Sequence, residues 1–496
     1  PVMTTWTELA AEIAAITGQS AADVEKIVTD AVAADPNGQY AIVKRYVSTE
    51  EYRALADLNL PFLSFPPHPS RIYPDGAVAG NLIGFVGSDG TPLEGMESMQ
   101  DSCLAATSGS RTYQRGADGV VIPGTEVEQP AVDGGTLKLT LDSDLQWYMQ
   151  QLISEETDRL GANWGGVMVV EVGTGKIRAA AESDTVDPND PGASDPESRG
   201  SKLLRYSYEP GSTFKPVTAA TGIDVGVLTP YTSVYDPDRM EFPNGAVIND
   251  DEKHAPETLT LAGGLVRSAN VALSQFGAMI DPQTRLDYLK KFGVGQGTAL
   301  NWAGEPKGTY HEVADWDNQT YYTTTFGQAF TVTVPQVASV YQTIANGGVR
   351  MPLSLVESCT APDGTVTTPD LPESERVVSE DTASQVSLML ENVFAQGTLA
   401  ADVAIPGYRM AGKTGTAQVV NDAGTGYKDG VYFTSLIGFA PADDPQYVVI
   451  TVFDEPQAVR MSSANRVSFK KAMTQVLTHY RVMPSDSTTP LLPVNG

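Results

Sequence analysis

Basic residues are scarce in this sequence: 32 Lys and Arg stand against 61 Asp and Glu in 496 residues, a formal charge of -29 at pH 7. Such a surface repels polyanions, which argues against a nucleic-acid partner. Cysteine occurs only at Cys103 and Cys359, too few for a disulfide framework and not spaced as metal ligands. A bridge between them would tie the N-terminal part to the C-terminal part, but spacing alone does not show that two cysteines meet. The histidines, His68, His254, His311 and His479, are scattered, leaving no zinc motif, and neither metal nor cofactor is expected. No run approaches the ~18 apolar residues that cross a bilayer, no signal peptide opens the chain, and it starts at Pro1 rather than Met. The expectation is a soluble fragment whose upstream part has been removed.

Hydrophobic residues make up 41% and charged residues 19%, the balance of a globular chain with length for more than one domain. Thr5-Trp6-Thr7-Glu8 has capping-box spacing, and Trp6, Leu9, Ile13 and Ile16 follow at helical intervals until Gly18. Ser20 to Asp23 repeats the device ahead of Val24, Ile27, Val28, Ala31 and Val32, a stripe that reads as core. Tyr40 to Val47 reads as a strand, and Ser48 to Glu51 caps a further short helix.

Gly116 to Gly135 is rich in Gly, Pro and acidic residues, as suits an extended connector, and the domain boundary falls here: 1–133 and 134–496. Thr136 to Leu141 predicts a strand, Ser143 caps a helix, and Trp164 to Val172 with Lys176 to Glu182 forms a hairpin about Gly173-Thr174-Gly175. Asp184 to Gly200 is a loop. Pro335 starts a helix that ends before Gly347-Gly348. Lys413 to Val420, Tyr432 to Phe439 and Tyr447 to Phe453 read as successive strands, closed by a helix over Val467 to Tyr480. Strands at both ends of this half with helices between them argue for an α+β fold, helices packed on an antiparallel sheet.

The chemistry centres on Tyr208-Glu209-Pro210-Gly211-Ser212-Thr213-Phe214-Lys215. Behind the Pro-Gly break a helix over Thr213 to Gly222 sets Ser212 and Lys215 one turn apart on one face. A serine hydroxyl needs an adjacent base to become a nucleophile, and a lysine serves only when its neutral form is favoured. Unpaired N–H groups at a helix start can also stabilise an oxyanion. Ser-x-x-Lys alone is a weak signal, but Ser268-Ala269-Asn270 and Lys413-Thr414-Gly415-Thr416 follow in order. That trio resembles the mark of serine beta-lactamases and penicillin-binding proteins; the position of Ala269, Asp in that pattern, varies among penicillin-binding proteins, so the departure argues against a class A beta-lactamase more than against the superfamily.

Upstream, Ser70-Arg71-Ile72-Tyr73-Pro74, Asn81-Leu82-Ile83-Gly84-Phe85 and Leu93-Glu94-Gly95-Met96-Glu97 resemble the pedestal of class B penicillin-binding proteins: an Arg-x-Tyr-Pro turn, an Ile-Gly-Phe strand and a Gly-x-Glu segment. Pro92 stands where that family often has glycine, and its opening Arg-Gly-x-Ile-x-Asp-Arg segment is missing. The resemblance covers about Thr136 to Tyr480, with a weaker pedestal match over about Tyr40 to Arg115. It implies a penicillin-binding, serine beta-lactamase-like transpeptidase domain: a five-stranded antiparallel sheet with helices on both sides, preceded by a mixed α+β pedestal.

The resemblance also implies roles. Ser212 attacks the carbonyl between two D-alanines of a peptidoglycan stem peptide, Lys215 is its base, Ser268 relays a proton between Lys215 and the leaving amine, and Asn270 holds the substrate amide and orients Lys215. Lys413 faces the donor carboxylate with Thr414 and Thr416, Gly415 allows close approach, and the backbone N–H groups of Ser212 and Thr416 form the oxyanion hole. Thr324-Thr325-Phe326-Gly327-Gln328 is read as scaffold, and with the nucleophile segment it resembles septal, division-type enzymes. Implied partners are stem peptides, beta-lactams, a SEDS-type glycosyltransferase with divisome proteins, and the cell membrane through a missing N-terminal helix, the catalytic part lying outside the cytoplasm. Two other readings stay open: a D,D-carboxypeptidase or beta-lactamase, and a non-enzymatic beta-lactam sensor or cell-wall scaffold.

Overall fold

A computed structural model of the chain describes residues 5–66, 70–117, 120–421 and 426–496. Pro1, His68 and residues 118–119 of the expected connector lie outside the described residues. The chain divides into two compact units, Pro1–Ile72 and Tyr73–Gly496.

In the smaller unit, α1 (Trp6–Thr17) opens on the expected Thr5/Glu8 capping box and stops at Gly18 in the left-handed region. Ser20 caps α2 (Ala21–Ala34), and a Ser48/Glu51 box caps α3 (Thr49–Asp57). Ala10, Ile13, Ala14, Val24 and Leu55 form the core. Val24 is the buried member of the α2 stripe, and Val32 is half exposed. The strand expected over Tyr40 to Val47 does not form. Tyr40 is 76% exposed, and the segment is held by side chains rather than a ladder: Gln19 donates to the Val43 carbonyl, and Lys44 donates to the Thr17 carbonyl and pairs with Glu51. β-prone residues make a strand only where a partner takes their backbone groups.

In the larger unit, α4 (Ser143–Leu160) is capped by Asp142, one residue before the expected position, whose carboxylate accepts the Leu145 N–H. The hairpin β1 (Trp164–Glu171) and β2 (Ile177–Glu182) follows. A 3-10 turn, Gly211–Phe214, leads into α5 (Lys215–Asp224), and α6 (Leu261–Arg267) runs almost directly into α7 (Asn270–Ala278). A Thr333/Gln336 box starts α8 (Val334–Ala345). The strands β3 (Ala411–Val420), β4 (Tyr427–Ala440) and β5 (Tyr447–Asp454) precede α9 (Arg466–His479).

Those strands form one five-stranded antiparallel sheet in the order β3-β4-β5-β1-β2. Every residue of central β5 is buried, which requires cover on both faces, since successive side chains point to opposite sides. Gly165 of β1 faces Thr157 of α4, and the adjacent Gly166 faces Leu203 on the other side. The lysine-bearing β3 is an edge strand.

The strand Thr136–Leu139 pairs instead with Val356–Thr360 in a separate sheet. There Cys103 and Cys359 are joined in a disulfide with 6.1 Å between Cα atoms. Ile83 closes a helical turn, Gly80–Ile83, and Val86 makes one isolated bridge to Pro92, so the expected Ile-Gly-Phe strand is absent. Asn81 explains why this segment packs within the larger unit. Its amide donates to Glu182 and to the Asp184 carbonyl, and its oxygen accepts the Val186 N–H.

Candidate active site

The three motifs meet at Ser268. Its Oγ lies 2.9 Å from Ser212 Oγ, 3.1 Å from Lys215 Nζ and 2.8 Å from Lys413 Nζ. A hydroxyl has one proton to donate and two lone pairs to accept with, so these neighbours use its full capacity. Lys215 also donates to the Ser268 carbonyl. Ser268 ends α6 with φ +58, in the left-handed region, an uncommon conformation for a residue with a side chain. That twist separates Ser268 from Asn270, which begins α7.

The nucleophile turn is clamped on three sides. Gly211 donates to the Gly327 carbonyl at 2.9 Å, and a Cβ on Gly327 (φ +91) would lie 2.0 Å from the Gly211 oxygen. Tyr341, fully buried in α8, donates to the Thr213 carbonyl at 3.0 Å. On β3, a Cβ at Gly415 would meet Ser435 Oγ at 2.4 Å and Thr213 Cγ2 at 2.8 Å. The turn that carries Ser212 and the neighbouring strand therefore both favour glycine at 415. The Thr324–Gln328 stretch, read as scaffold in the sequence, forms a wall of the site through Phe326 and Gln328.

Beside Ser212 lies an open cavity of about 320 Å³ whose lining includes Asp250, Asp251, Asn270, Thr416 and Tyr432. A larger one, about 600 Å³, sits near Tyr447 and Tyr480, away from these motifs. Thr416 Oγ1 accepts the Ser462 N–H at 3.1 Å, and Thr414 Oγ1 is 3.3 Å from Lys413 Nζ.

Residues 165–474 match the penicillin binding protein transpeptidase domain, and residues 2–139 match the penicillin-binding protein dimerisation domain. The chain belongs to the penicillin-binding protein transpeptidase family. It is 36% identical to penicillin-binding protein PbpB of Mycolicibacterium smegmatis over 85% of this chain and 66% of that protein. It is 30% identical to peptidoglycan D,D-transpeptidase FtsI of Escherichia coli over 92% of this chain and 75% of that one. Among solved structures, penicillin binding protein 3 of Mycobacterium tuberculosis complexed with ampicillin matches with a TM-score of 0.77 and 32% identity, over 86% of this chain and 93% of that one. The chain thus spans just under two thirds of the length of the first of these relatives.

In this penicillin-binding fold both site lysines are buried. Burial disfavours an ammonium, and it pushes Lys215 down to about 8 against the opposing pull of Asp251, Asp250 and Asp236. Lys413 is held well below the usual lysine range, first by burial and then by the charge of Lys215. Both shifts favour a neutral amine beside a serine, as general-base activation requires.

Asn249, Asp250 and Asp251 were not singled out in the sequence. Asn270 Nδ2 donates to the Asn249 carbonyl at 3.2 Å and to Asp251 at 3.3 Å, and no motif spacing announces these contacts. Among the described residues, Asp236, Asp250 and His254 bring ligand-type atoms within 4.8 Å of one another and could hold a cation. His254 Nε2 is already 2.9 Å from Asp250.

Proposed function

We propose that this chain is a serine D,D-transpeptidase that cross-links peptidoglycan stem peptides through an acyl-enzyme on Ser212 and is inhibited by beta-lactams. The observation that carries the reading is the hydrogen-bonded convergence of Ser212, Lys215 and Lys413 on the Ser268 hydroxyl. The name of the Escherichia coli relative and the ampicillin complex of the mycobacterial one support it.

In this reading Ser212 Oγ attacks the carbonyl between two D-alanines. Its proton passes through Ser268 to neutral Lys215, the C–O bond forms, the C–N bond breaks, and the departing D-alanine takes the proton. An acceptor amine then attacks the ester carbonyl, the amide C–N bond forms, the ester C–O bond to Ser212 breaks, and the proton released by the amine returns to Ser212 Oγ. The backbone N–H groups of Ser212 and Thr416 stabilise the oxyanion. Lys413 with Thr414 and Thr416 receives the donor carboxylate, which would restore the proton that burial disfavours on Lys413. Gly415 holds β3 against the nucleophile turn, and Asn270 receives the substrate amide.

We assign residues 1–133 to the pedestal and 134–496 to the transpeptidase domain. The division-type role, a SEDS-type glycosyltransferase and divisome proteins as partners, and a membrane anchor outside this sequence with the catalytic part extracytoplasmic belong to the same proposal. The resemblance of the segments at Tyr208 and Thr324 to septal enzymes supports the role.

Incubating the protein with a D-Ala-D-Ala donor and an amine acceptor tests the reaction. The proposal predicts amide product in excess over free acid. Free acid alone would favour a carboxypeptidase, and no turnover with normal cell-wall phenotype for Ser212→Ala would favour a scaffold.

A further inference from the structure

The helix that presents Asn270 lacks a cap of its own. Ala269 occupies the cap position of α7, and no side-chain cap bond is made there. The first N–H groups of a helix have no partner inside it, and an N-cap side chain ordinarily accepts from the second or third. The second belongs to Val271, and it donates to Asp250 Oδ1 at 2.9 Å. The acceptor is therefore supplied by a separate loop, just after the strand Val247–Asn249.

Asp250 is itself fixed. Its other carboxylate oxygen lies 2.9 Å from His254 Nε2, and its backbone N–H donates to the Asp238 carbonyl at 2.9 Å. The residues on either side of it take the Asn270 side chain, through the Asn249 carbonyl and the Asp251 carboxylate. One short loop thus holds both the end of α7 and the amide that faces the cavity. A carboxylate in place of Ala269 would cap the helix locally; here the methyl leaves that task to Asp250.

We infer that Asp250 is a positioning residue for Asn270: it caps α7 from outside and so sets the place of the substrate-binding amide beside Ser212. The inference rests on the acyltransferase reading of Ser212. Misplacing a positioned group by about 1 Å can slow a reaction by about a hundredfold, so a lost cap has room to act through Asn270 without any contact between Asp250 and the reacting atoms.

The test compares Asp250→Ala, Asp250→Asn and the pair Asp250→Ala with Ala269→Asp, each in the full chain. Two readouts are taken: the limiting rate and half-saturation of benzylpenicillin acylation, and hydrogen exchange of the Val271 amide. Asp250→Ala should slow the limiting rate by about tenfold or more and expose the Val271 amide. Asp250→Asn keeps an acceptor oxygen and loses the charge, and it should cost less than about threefold. The pair, with a carboxylate restored at the cap position, should recover both protection and rate. An asparagine variant as slow as the alanine variant would overturn the inference, because charge rather than capping would then be at work. Unchanged Val271 exchange in Asp250→Ala would overturn it even if the parent took no adduct, which would separately remove the acyltransferase reading.

Discussion

Ser212 and Ser268, from different motifs, place their hydroxyl oxygens 2.9 Å apart, and both site lysines reach only the second of them by a side-chain hydrogen bond at 3.1 and 2.8 Å. In the proposed reaction, activation of Ser212 therefore depends on Ser268. Ser268→Ala should lower the acylation rate by about 10²–10⁴, the range for a lost proton-transfer group. The rate constant for benzylpenicillin acylation, read beside the melting temperature, checks this. A loss of rate with an unchanged melting temperature is expected.

With Lys215 as the proposed base, this residue sets the pH dependence. Its ammonium is disfavoured by burial and ionises at about 8 rather than at the usual 10.5, and only the neutral amine accepts a proton. The acylation rate should rise about tenfold per pH unit below that value and level off above it. The same shift makes folding stability increase between about 8 and 10.5, where the unfolded lysine still binds a proton and the folded one does not. A pH–rate profile that keeps climbing towards the ionisation of an exposed lysine would contradict the assignment.

Gly327 holds the nucleophile turn. With φ +91 and the Gly211 oxygen 2.0 Å from where a Cβ would stand, Gly327→Ala should destabilise the protein by about 1–3 kcal/mol and slow acylation as the turn shifts. Thermal unfolding and the acylation rate measured on one preparation check both effects.

The disulfide between Cys103 and Cys359 closes 256 residues of chain. Replacing both cysteines by serine should cost about 2–5 kcal/mol of stability. Neither cysteine lines the cavity at Ser212, so the folded double variant should retain its acylation rate, measured well below its melting temperature.

The reading of the sequence succeeded where local chemistry and tertiary context agree. The caps at Thr5, Ser20 and Ser48 act where the sequence puts them, because a cap needs only its own first turn. Ser212, Lys215, Ser268, Asn270 and Lys413 were legible because their motifs are specific in combination and order. Asp250 was not, since it reaches α7 across the fold and carries no spacing signal. Tyr40 to Val47 misled for the opposite reason: its β-prone residues are real, yet among the described residues no strand pairs with it. At Gly415 the residue was singled out, but its packing against Ser435 and Thr213 was not, because a tight approach between β3 and the turn at Ser212 leaves no trace in sequence.

The most direct measurement is the intact mass of the protein after brief exposure to benzylpenicillin, followed over hours, with Ser212→Ala as control. The account predicts a single long-lived penicilloyl adduct on the parent and none on the variant. An adduct that persists in Ser212→Ala, or a parent that takes none, would contradict it.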